Sequence, residues 1–265
     1  MAFPHFKKNH SRAFVAFVAL AASCLPAFGQ SVQPSSAPRR EAVLVELFTS
    51  EGCSDCPPAD ALLARLDATQ FVPGAQAIVL SEHVTYWDHD GWRDPFSLDA
   101  MTERQQRYVD RFALDSSYTP QIVVDGIEQV VGNNVRAVTG ALTRAASKPK
   151  SEVAIVDAHW TNGAVVFSMK AEPRNGTTLV AAIAEDATQS EVARGENAGR
   201  TLHHVAVVRV LKDFGANALD GRSLRLAADN VSHPGSSAGP LRLVVFLVDP
   251  KTGHVAAVTE QTVPR

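Results

Sequence analysis

Apolar and amphipathic runs alternate along the first half of the chain and predict strands and helices in turn. Residues 43–49 (VLVELFT) and 75–80 (AQAIVL) are β-branched and apolar, as in buried strands. Between them, apolar residues recur at positions i, i+3, i+4 and i+7 from Ala59, which predicts an amphipathic helix. Pro57 and Pro58 would open this helix, because proline is tolerated in a first helical turn.

The same half continues with a second helix, a hairpin and a third helix. Residues 98–112 carry apolar side chains on one helical face, and an Asp-Gly turn at 125–126 separates two short β-branched runs. Helical spacing follows a pair of candidate N-caps, Asn133 and Asn134. The predicted order over residues 42–147 is β-α-β-α-β-β-α, an α/β domain with a mixed sheet.

Beyond a linker at residues 148–151, the pattern changes to short strands separated by turns. Six or seven such strands over residues 152–265 predict an all-β, sandwich-like domain. Residues 186–201 (DATQSEVARGENAGRT) depart from this pattern because they are polar and lack strand periodicity. We expect a long loop there, either functional or disordered.

The N-terminus has the composition of an export signal. Basic residues precede an almost unbroken apolar run at 13–25, and small residues near 27–29 suit cleavage before Gln30. We therefore predict a signal peptide over residues 1–29, a flexible leader over 30–41 and a periplasmic or secreted protein. The alternatives are a retained anchor and a lipoprotein acylated at Cys24, although the branched apolar residue expected three positions before this cysteine is missing.

The charge of the chain argues against two classes of partner. The formal net charge of −3 becomes −6 once the predicted signal, with its three basic and no acidic residues, is removed. An acidic surface is a poor partner for phosphate backbones and for anionic lipid. We therefore expect no nucleic-acid binding and no membrane contact beyond export.

Without the signal, Cys53 and Cys56 are the only cysteines in the sequence. A strand that leads into Cys-x-x-Cys and then into a helix would place Cys53 at the helix N-terminus, where free N–H groups and the helix dipole favour the thiolate. Cys53 would then attack a disulfide and Cys56 would resolve the product. The alternatives are a bracing disulfide, although so small a ring adds only about 2 kcal/mol, and a metal pair, which needs two further ligands.

The dipeptide Thr119-Pro120 stands immediately before a predicted strand. Taken alone, an X-Pro bond at this place is an ordinary edge feature in the trans form. Together with the upstream cysteines and the order of elements, it predicts a cis-proline loop packed against the disulfide. Such a loop would hold an extended substrate segment beside the sulfurs.

Residues 81–94 (SEHVTYWDHDGWRD) follow the second strand, so they would lie at the same end of the sheet as the cysteines. Trp87 and Trp92 could form a peptide-binding wall over the disulfide, or they could simply cover the core. His83 is a possible metal ligand together with Cys53 and Cys56, because two thiolates and an imidazole suit a soft or borderline metal.

At this point the chain resembles a known family. The order of elements over residues 43–146 resembles the thioredoxin-like superfamily. A strand, Cys-x-x-Cys and a helix are followed by Thr-Pro, a hairpin and a final helix. Three longer stretches of the sequence resemble exported bacterial thioredoxin-like proteins known mainly as a domain of unknown function. These stretches are VELFTSEGCSDCPPAD, TPQIVVDG and ARGENAGRTLHHVAVVR. The resemblance implies an α/β, thioredoxin-like N-terminal domain with a mixed sheet, followed by an all-β sandwich-like domain. It supports the roles of Cys53, Cys56 and Pro120 but implies no substrate.

The chain departs from better-studied thioredoxins near the cysteines. Gly52 replaces the usual tryptophan, and Asp55 adds a negative charge that should oppose thiolate formation. Leu47 replaces a buried carboxylate. The neighbouring Glu46 is therefore a possible proton acceptor, with a salt-bridged strand residue as the alternative, since it would face the other side of the strand.

Polar residues in the second half are also candidates for the site. His203 and His204 are adjacent in a strand, so they should point to opposite faces and cannot readily share a ligand. Within the polar stretch, three residues match the sequence pattern of this family and are candidates for contact with the redox site: Glu196, Asn197 and Arg200.

These patterns predict an exported thiol–disulfide exchange protein in which Cys53 attacks, Cys56 resolves, and Thr119 and Pro120 position the substrate. The partner would be a protein or small-molecule thiol or disulfide, and no cofactor is required. Two other functions stay open. One is a metal-binding or copper-delivery module that uses the cysteines and His83, and the other is a non-catalytic binding module.

Overall fold

The computed structural model describes residues 1–5, 40–171, 176–219, 221–228, 231 and 239–265. Cys24 and nearly all of the predicted signal peptide and leader lie outside these residues, so those expectations stay predictions. Among the described residues, no helix combines the length and the apolar character needed to cross a bilayer.

The strands and helices predicted for the first half are present. They are β1 (Glu41–Thr49), α1 (Pro57–Thr69), β2 (Ala75–His83), α2 (Asp99–Phe112), β3 (Gln121–Val124), β4 (Glu128–Val131) and α3 (Val135–Ala146). The Asn134 side chain accepts a hydrogen bond from the main-chain N–H of Ala137 at 3.1 Å, which confirms it as the N-cap of α3.

The second half is built from strands, as predicted. They are β5 (Val153–Thr161), β6 (Ala164–Ala171), β7 (Thr178–Glu185), β8 (Thr188–Glu191), β9 (Thr201–His204), β10 (Val207–Gly215), β11 (Leu224–Ala227), β12 (Leu241–Val248) and β13 (Val255–Val263), with a 3₁₀ helix at Ala216–Leu219.

The polar stretch at 186–201 is not a plain loop. β8 and β9 pair antiparallel as a hairpin, and residues 192–200 join them; we call residues 188–204 the arm. Buried and exposed residues do alternate along these strands, but Thr188 and His204 are two of the buried ones. Because polar side chains take the inner positions, hydrophobic periodicity did not reveal the strands.

The predicted fold class is wrong, because strands of both halves belong to one mixed sheet. Its order is β13-β12-β7-β10-β2-β1-β3-β4. β10 runs parallel to β2, with Val207 opposite Ser81, and the Ser81 N–H donates to the Ala206 carbonyl at 2.9 Å. A thioredoxin-like domain followed by a separate sandwich-like domain is therefore not what the chain forms. Periodicity identifies strands but does not encode which distant strands will pair.

The hydrophobic core is also shared between the halves. Val45 of β1, Val208 of β10 and Phe246 of β12 belong to one buried cluster. The alternate residues of β7 and β12 face a second cluster together with β6 and β11, strands of a smaller sheet that also contains β5. β7 and β12 are thus buried on both faces, which accounts for their nearly continuous apolar runs.

Candidate functional site

Cys53 and Cys56 form a disulfide in the turn between β1 and α1, with their Cα atoms 5.4 Å apart. The pair is covered: Cys53 is 1% exposed and Cys56 is 0% exposed. Ser54 and Asp55 between them are exposed. The Asp55 carboxylate therefore lies in water, where its charge acts on the sulfurs less than the sequence suggests.

Cys56 occupies the N-cap of α1, whereas the sequence predicted Cys53 at the helix N-terminus. The next two residues, Pro57 and Pro58, have no main-chain N–H. The N–H groups of Ala59 and Asp60 both donate to the Cys56 carbonyl, at 2.8 and 3.1 Å. Within residues 57–60 no main-chain N–H is thus left for a sulfur, so this helix start stabilises a thiolate less than most do.

Gly52 is small because Trp87 fills the adjacent space. A Cβ atom on Gly52 would lie 3.0 Å from the Trp87 Cβ and 3.2 Å from the Trp87 carbonyl oxygen. The Trp87 indole N–H donates to the Thr119 hydroxyl at 2.8 Å, and the Thr119–Pro120 peptide is cis. Trp87 therefore packs on the disulfide turn and Thr119 binds Trp87, while their role in binding a substrate stays a prediction.

Pro120 and Ala59, in the first turn of α1, both lie beside Gly132. A Cβ atom on Gly132 would lie 3.1 Å from the Pro120 Cβ and 3.2 Å from the Cβ of Ala59, so glycine fits between them. The Gly132 N–H also donates to the Pro120 carbonyl at 2.8 Å. The proline is therefore held from the side of β4 and α1, close in the fold to the helix that begins after Cys56.

Gly52→Ala is expected to lower the free energy of unfolding by about 1–3 kcal/mol, because the added methyl group overpacks against the backbone and Cβ of Trp87. Gly140→Ala in α3 is the matched control. The three atoms nearest to its Cβ would all belong to the flexible Arg144 side chain, so about 0.5–1 kcal/mol of helix propensity should be gained. Urea unfolding measures both changes, and an equal effect of the two substitutions would contradict this packing.

The tip of the arm binds the main chain of the disulfide turn. The Asn197 carboxamide donates to the carbonyls of Glu51 and Cys53 at 2.8 and 2.9 Å. The Glu196 carboxylate accepts the Ser54 N–H at 3.0 Å, and hydrogen bonding with the Ser54 side chain and main chain lowers the pKa of the exposed Glu196. These contacts place Glu196 and Asn197 on the disulfide turn, and a redox role for this turn stays a prediction.

Arg200, the third residue of that expectation, acts through Asn197. Its guanidinium donates to the Asn197 Oδ1 at 3.0 Å, which leaves the amide N–H groups directed at the two carbonyls. Asn197 itself is 0% exposed. The tip also packs on the 81–94 segment, since a Cβ atom on Gly195 would lie 3.1 Å from the Trp92 Cβ.

Glu51 ties the base of the arm to the turn from the inside, a role that the sequence did not suggest. Its buried carboxylate accepts hydrogen bonds from the Trp92 indole N–H at 2.8 Å, from the Ser190 hydroxyl and from His204 Nε2 at 3.1 Å. Ser190 lies on β8 and His204 on β9. The Trp92 N–H thus binds the buried acid rather than an open surface, and its part in a peptide-binding wall stays a prediction.

His204 lies between two acids and is a buried cation at neutral pH. Its Nδ1 is 3.8 Å from the Asp60 carboxylate, which in turn accepts the Thr49 hydroxyl at 3.0 Å. Burial opposes the charge, but the interactions with the carboxylates of Asp60 and Glu51 outweigh it and raise the pKa of His204 to about 10. His203 is exposed, so the two histidines do face opposite sides.

His83 is fully buried beside this cluster. Its Nδ1 lies 2.7 Å from the Asp94 carboxylate, and its ring meets the His204 ring edge-on with centroids 4.6 Å apart. Asp94 also accepts the Glu51 N–H at 2.8 Å. Burial would raise the pKa of Asp94, but His83 and the main-chain donors outweigh burial and lower it. Among the described residues, no group of three His, Cys, Asp or Glu is placed to hold a metal ion.

Glu46 belongs to a separate buried cluster against α2. Arg104 Nε donates to one of its oxygens at 2.5 Å and the Tyr108 hydroxyl to the other at 2.6 Å. Both oxygens are thus engaged, which fits the salt-bridged alternative better than a proton acceptor for the cysteines. Burial and the neighbouring Glu46 raise the pKa of Glu82 well above its usual range.

Comparisons with known proteins support the fold but name no activity. A family model described as a protein of unknown function (DUF1223) matches residues 44–247. The X-ray crystal structure of a protein from Agrobacterium tumefaciens is similar with a TM-score of 0.62 at 24% sequence identity, and the match covers 84% of this chain and 95% of that chain. At this identity the likeness shows the fold alone. No curated protein matches the chain.

Proposed function

We propose, for a chain that belongs to the DUF1223 family of proteins of unknown function, that Cys53 and Cys56 carry out thiol–disulfide exchange. The observation that carries the proposal is the isolated disulfide in the turn before α1. A ring this small constrains the unfolded chain by only about 2 kcal/mol, so bracing is a weak use of it. Side chains from distant segments nevertheless converge on this turn, among them Asn197 and Trp87, the latter held by Thr119.

The exchange proceeds in two steps from the dithiol. The Cys53 thiolate attacks one sulfur of a substrate disulfide, the substrate S–S bond breaks, and its other sulfur leaves as a thiolate that takes up a proton. The Cys56 thiolate then attacks the Cys53 sulfur, breaks the mixed disulfide and releases the second substrate thiolate. Two electrons pass from the protein to the substrate, and an external dithiol returns them by the reverse steps.

The surroundings of the sulfurs favour the reducing direction. Within residues 57–60, the start of α1 offers the Cys56 sulfur no main-chain N–H, because Ala59 and Asp60 both donate to the Cys56 carbonyl. This lack of donors disfavours a thiolate and so disfavours the reduced form. We therefore propose a potential closer to the roughly −270 mV of thioredoxin than to the roughly −120 mV of a strong oxidant.

A redox-cycling experiment on the native protein tests the proposal. The protein is treated with a dithiol, its free thiols are alkylated, and the change in mass is followed before and after reoxidation by a protein disulfide. We expect both cysteines to be alkylated after reduction and both to be protected again after reoxidation. Cysteines that react only when the protein is unfolded would identify a bracing disulfide instead.

The N-terminal sequence adds a proposal about place and partners. An exported protein would meet thiols and disulfides in the periplasm or outside the cell, where structural disulfides are common substrates. We propose a protein or small-molecule thiol or disulfide as the partner, on the basis of the cysteine pair alone.

A further inference from the structure

The arm binds the disulfide turn at two places, its base and its tip. At its base, Ser190 and His204 hold the Glu51 carboxylate, and at its tip Glu196 and Asn197 bind the main chain of the turn. β8 and β9 pair with each other and not with the large mixed sheet. The tip can therefore move without breaking the main sheet.

The closed turn conflicts with the proposed chemistry unless something moves. An attacking sulfur has to reach a cysteine sulfur in line with the S–S bond, yet Cys53 is 1% exposed and Cys56 0%. Reactive cysteines are usually partly exposed, whereas fully buried ones are inert. If the pair exchanges disulfides, the group that covers it has to be displaced first.

The chemistry of Asn197 indicates what displaces it. Its carboxamide is a side-chain peptide group, and its N–H groups satisfy two converging main-chain carbonyls, those of Glu51 and Cys53. Moving the tip away would take this donor from the Glu51 carbonyl and leave the Cys53 carbonyl with the Cys56 N–H at 3.3 Å, which is unfavourable unless another donor arrives. A polypeptide offers main-chain N–H groups for this purpose, whereas a simple monothiol offers none.

We infer that Asn197 is an internal stand-in for a main-chain amide of the substrate, so that the arm tip covers the disulfide until an extended polypeptide replaces it. This inference rests on the proposed function and deepens it. It assigns Asn197 and Glu196 as specificity-determining residues, and it assigns the substrate class as polypeptide thiols or disulfides rather than simple small thiols.

Reduction kinetics of the full chain test the cover. The rate at which a small dithiol reduces the Cys53–Cys56 disulfide should reach a plateau as the dithiol concentration rises, because opening of the tip becomes limiting. Asn197→Asp cannot donate to the carbonyls and should raise the plateau about tenfold, and Glu196→Ala should raise it less. Arg194→Ala changes an exposed residue of the same tip and should leave the plateau unchanged.

Substrate analogues test the stand-in. A cysteine peptide is compared with the same peptide N-methylated at the amides beside the cysteine, with 2-mercaptoethanol as the monothiol reference. We expect the peptide to reduce the disulfide at least about tenfold faster than its methylated form in the wild-type protein. In Asn197→Asp, where the tip is already released, simple thiols should gain more than the peptide does.

The outcomes separate the inference from the proposed function. If the reduction rate stays proportional to dithiol concentration and does not change in Asn197→Asp, the arm tip does not cover the disulfide, while the proposed exchange activity stands. Equal rates for the peptide and its methylated form would overturn the stand-in. If no thiol reduces the Cys53–Cys56 disulfide in the folded wild-type protein or in folded Asn197→Asp, the proposed function is overturned, and the inference with it.

Discussion

Cys53→Ser is expected to lower the rate of exchange with protein disulfides by at least about 10³-fold, because a serine hydroxyl cannot replace a thiolate nucleophile. Cys56→Ser should have a different effect. Its Cys53 thiolate can still attack, but nothing resolves the product, so a mixed disulfide with the substrate should accumulate. Turnover assays and mass spectrometry of alkylated protein measure the two results.

The double variant with serine at both positions is the control for these measurements. Loss of the small ring should lower stability by only about 2 kcal/mol, so circular dichroism should show a folded protein in all three variants. A mixed disulfide in Cys53→Ser but not in Cys56→Ser would reverse the assigned roles. Turnover that survives in the double variant would contradict cysteine chemistry.

His204→Gln is expected to lower the free energy of unfolding by about 3–5 kcal/mol at pH 7, because it leaves Glu51 and Asp60 buried without their cation. The loss should depend on pH. The pKa of His204 is raised to about 10 in the folded chain, against roughly 6.5 when unfolded. Its contribution is therefore complete below about pH 6.5 and is lost as the pH rises towards 10.

His203→Gln is the matched control for His204, since the neighbouring side chain is exposed and should change stability by less than about 0.5 kcal/mol. Urea unfolding at pH 6, 8 and 10 compares each variant with the unmodified chain. The difference for His204→Gln should shrink across this range. A difference that stays constant with pH would show that His204 contributes by packing alone and not as a buried cation.

The sequence revealed local elements well because each has a local cause. The apolar face of α1, the two prolines at its start and the Asn134 cap are all readable within a few residues. The disulfide turn and Thr119-Pro120 were found for the same reason, since each is a short motif. What such motifs cannot show is how the elements they mark are assembled.

The fold class was wrong because assembly depends on pairing between distant strands. The residues of β2 and β10 have the same β-branched, apolar character whether they lie in one sheet or in two domains. The pairing of Ser81 with Ala206 and Val207 joins the strands into one sheet, and nothing local encodes it. The resemblance over residues 43–146 described the order of elements and not the sheet that they join.

The buried charges around the site were missed because polar residues are expected at the surface. Glu51 and Asp60 read as a loop residue and a helix residue, yet both are buried and bind groups on other elements. One signal was present for His204: side chains alternate along a strand, so one of the two adjacent histidines had to face inward. Pairing it with Glu51 required the arm, whose strands carry polar inner residues.

The central claim is that Cys53 and Cys56 exchange disulfides within the folded protein. Equilibration of the native chain with defined ratios of a dithiol and its disulfide, read out by alkylation and circular dichroism together, tests it most directly. The account predicts reversible reduction with the fold retained, at a midpoint closer to about −270 mV than to about −120 mV. A pair that is reduced only as the protein unfolds would contradict it.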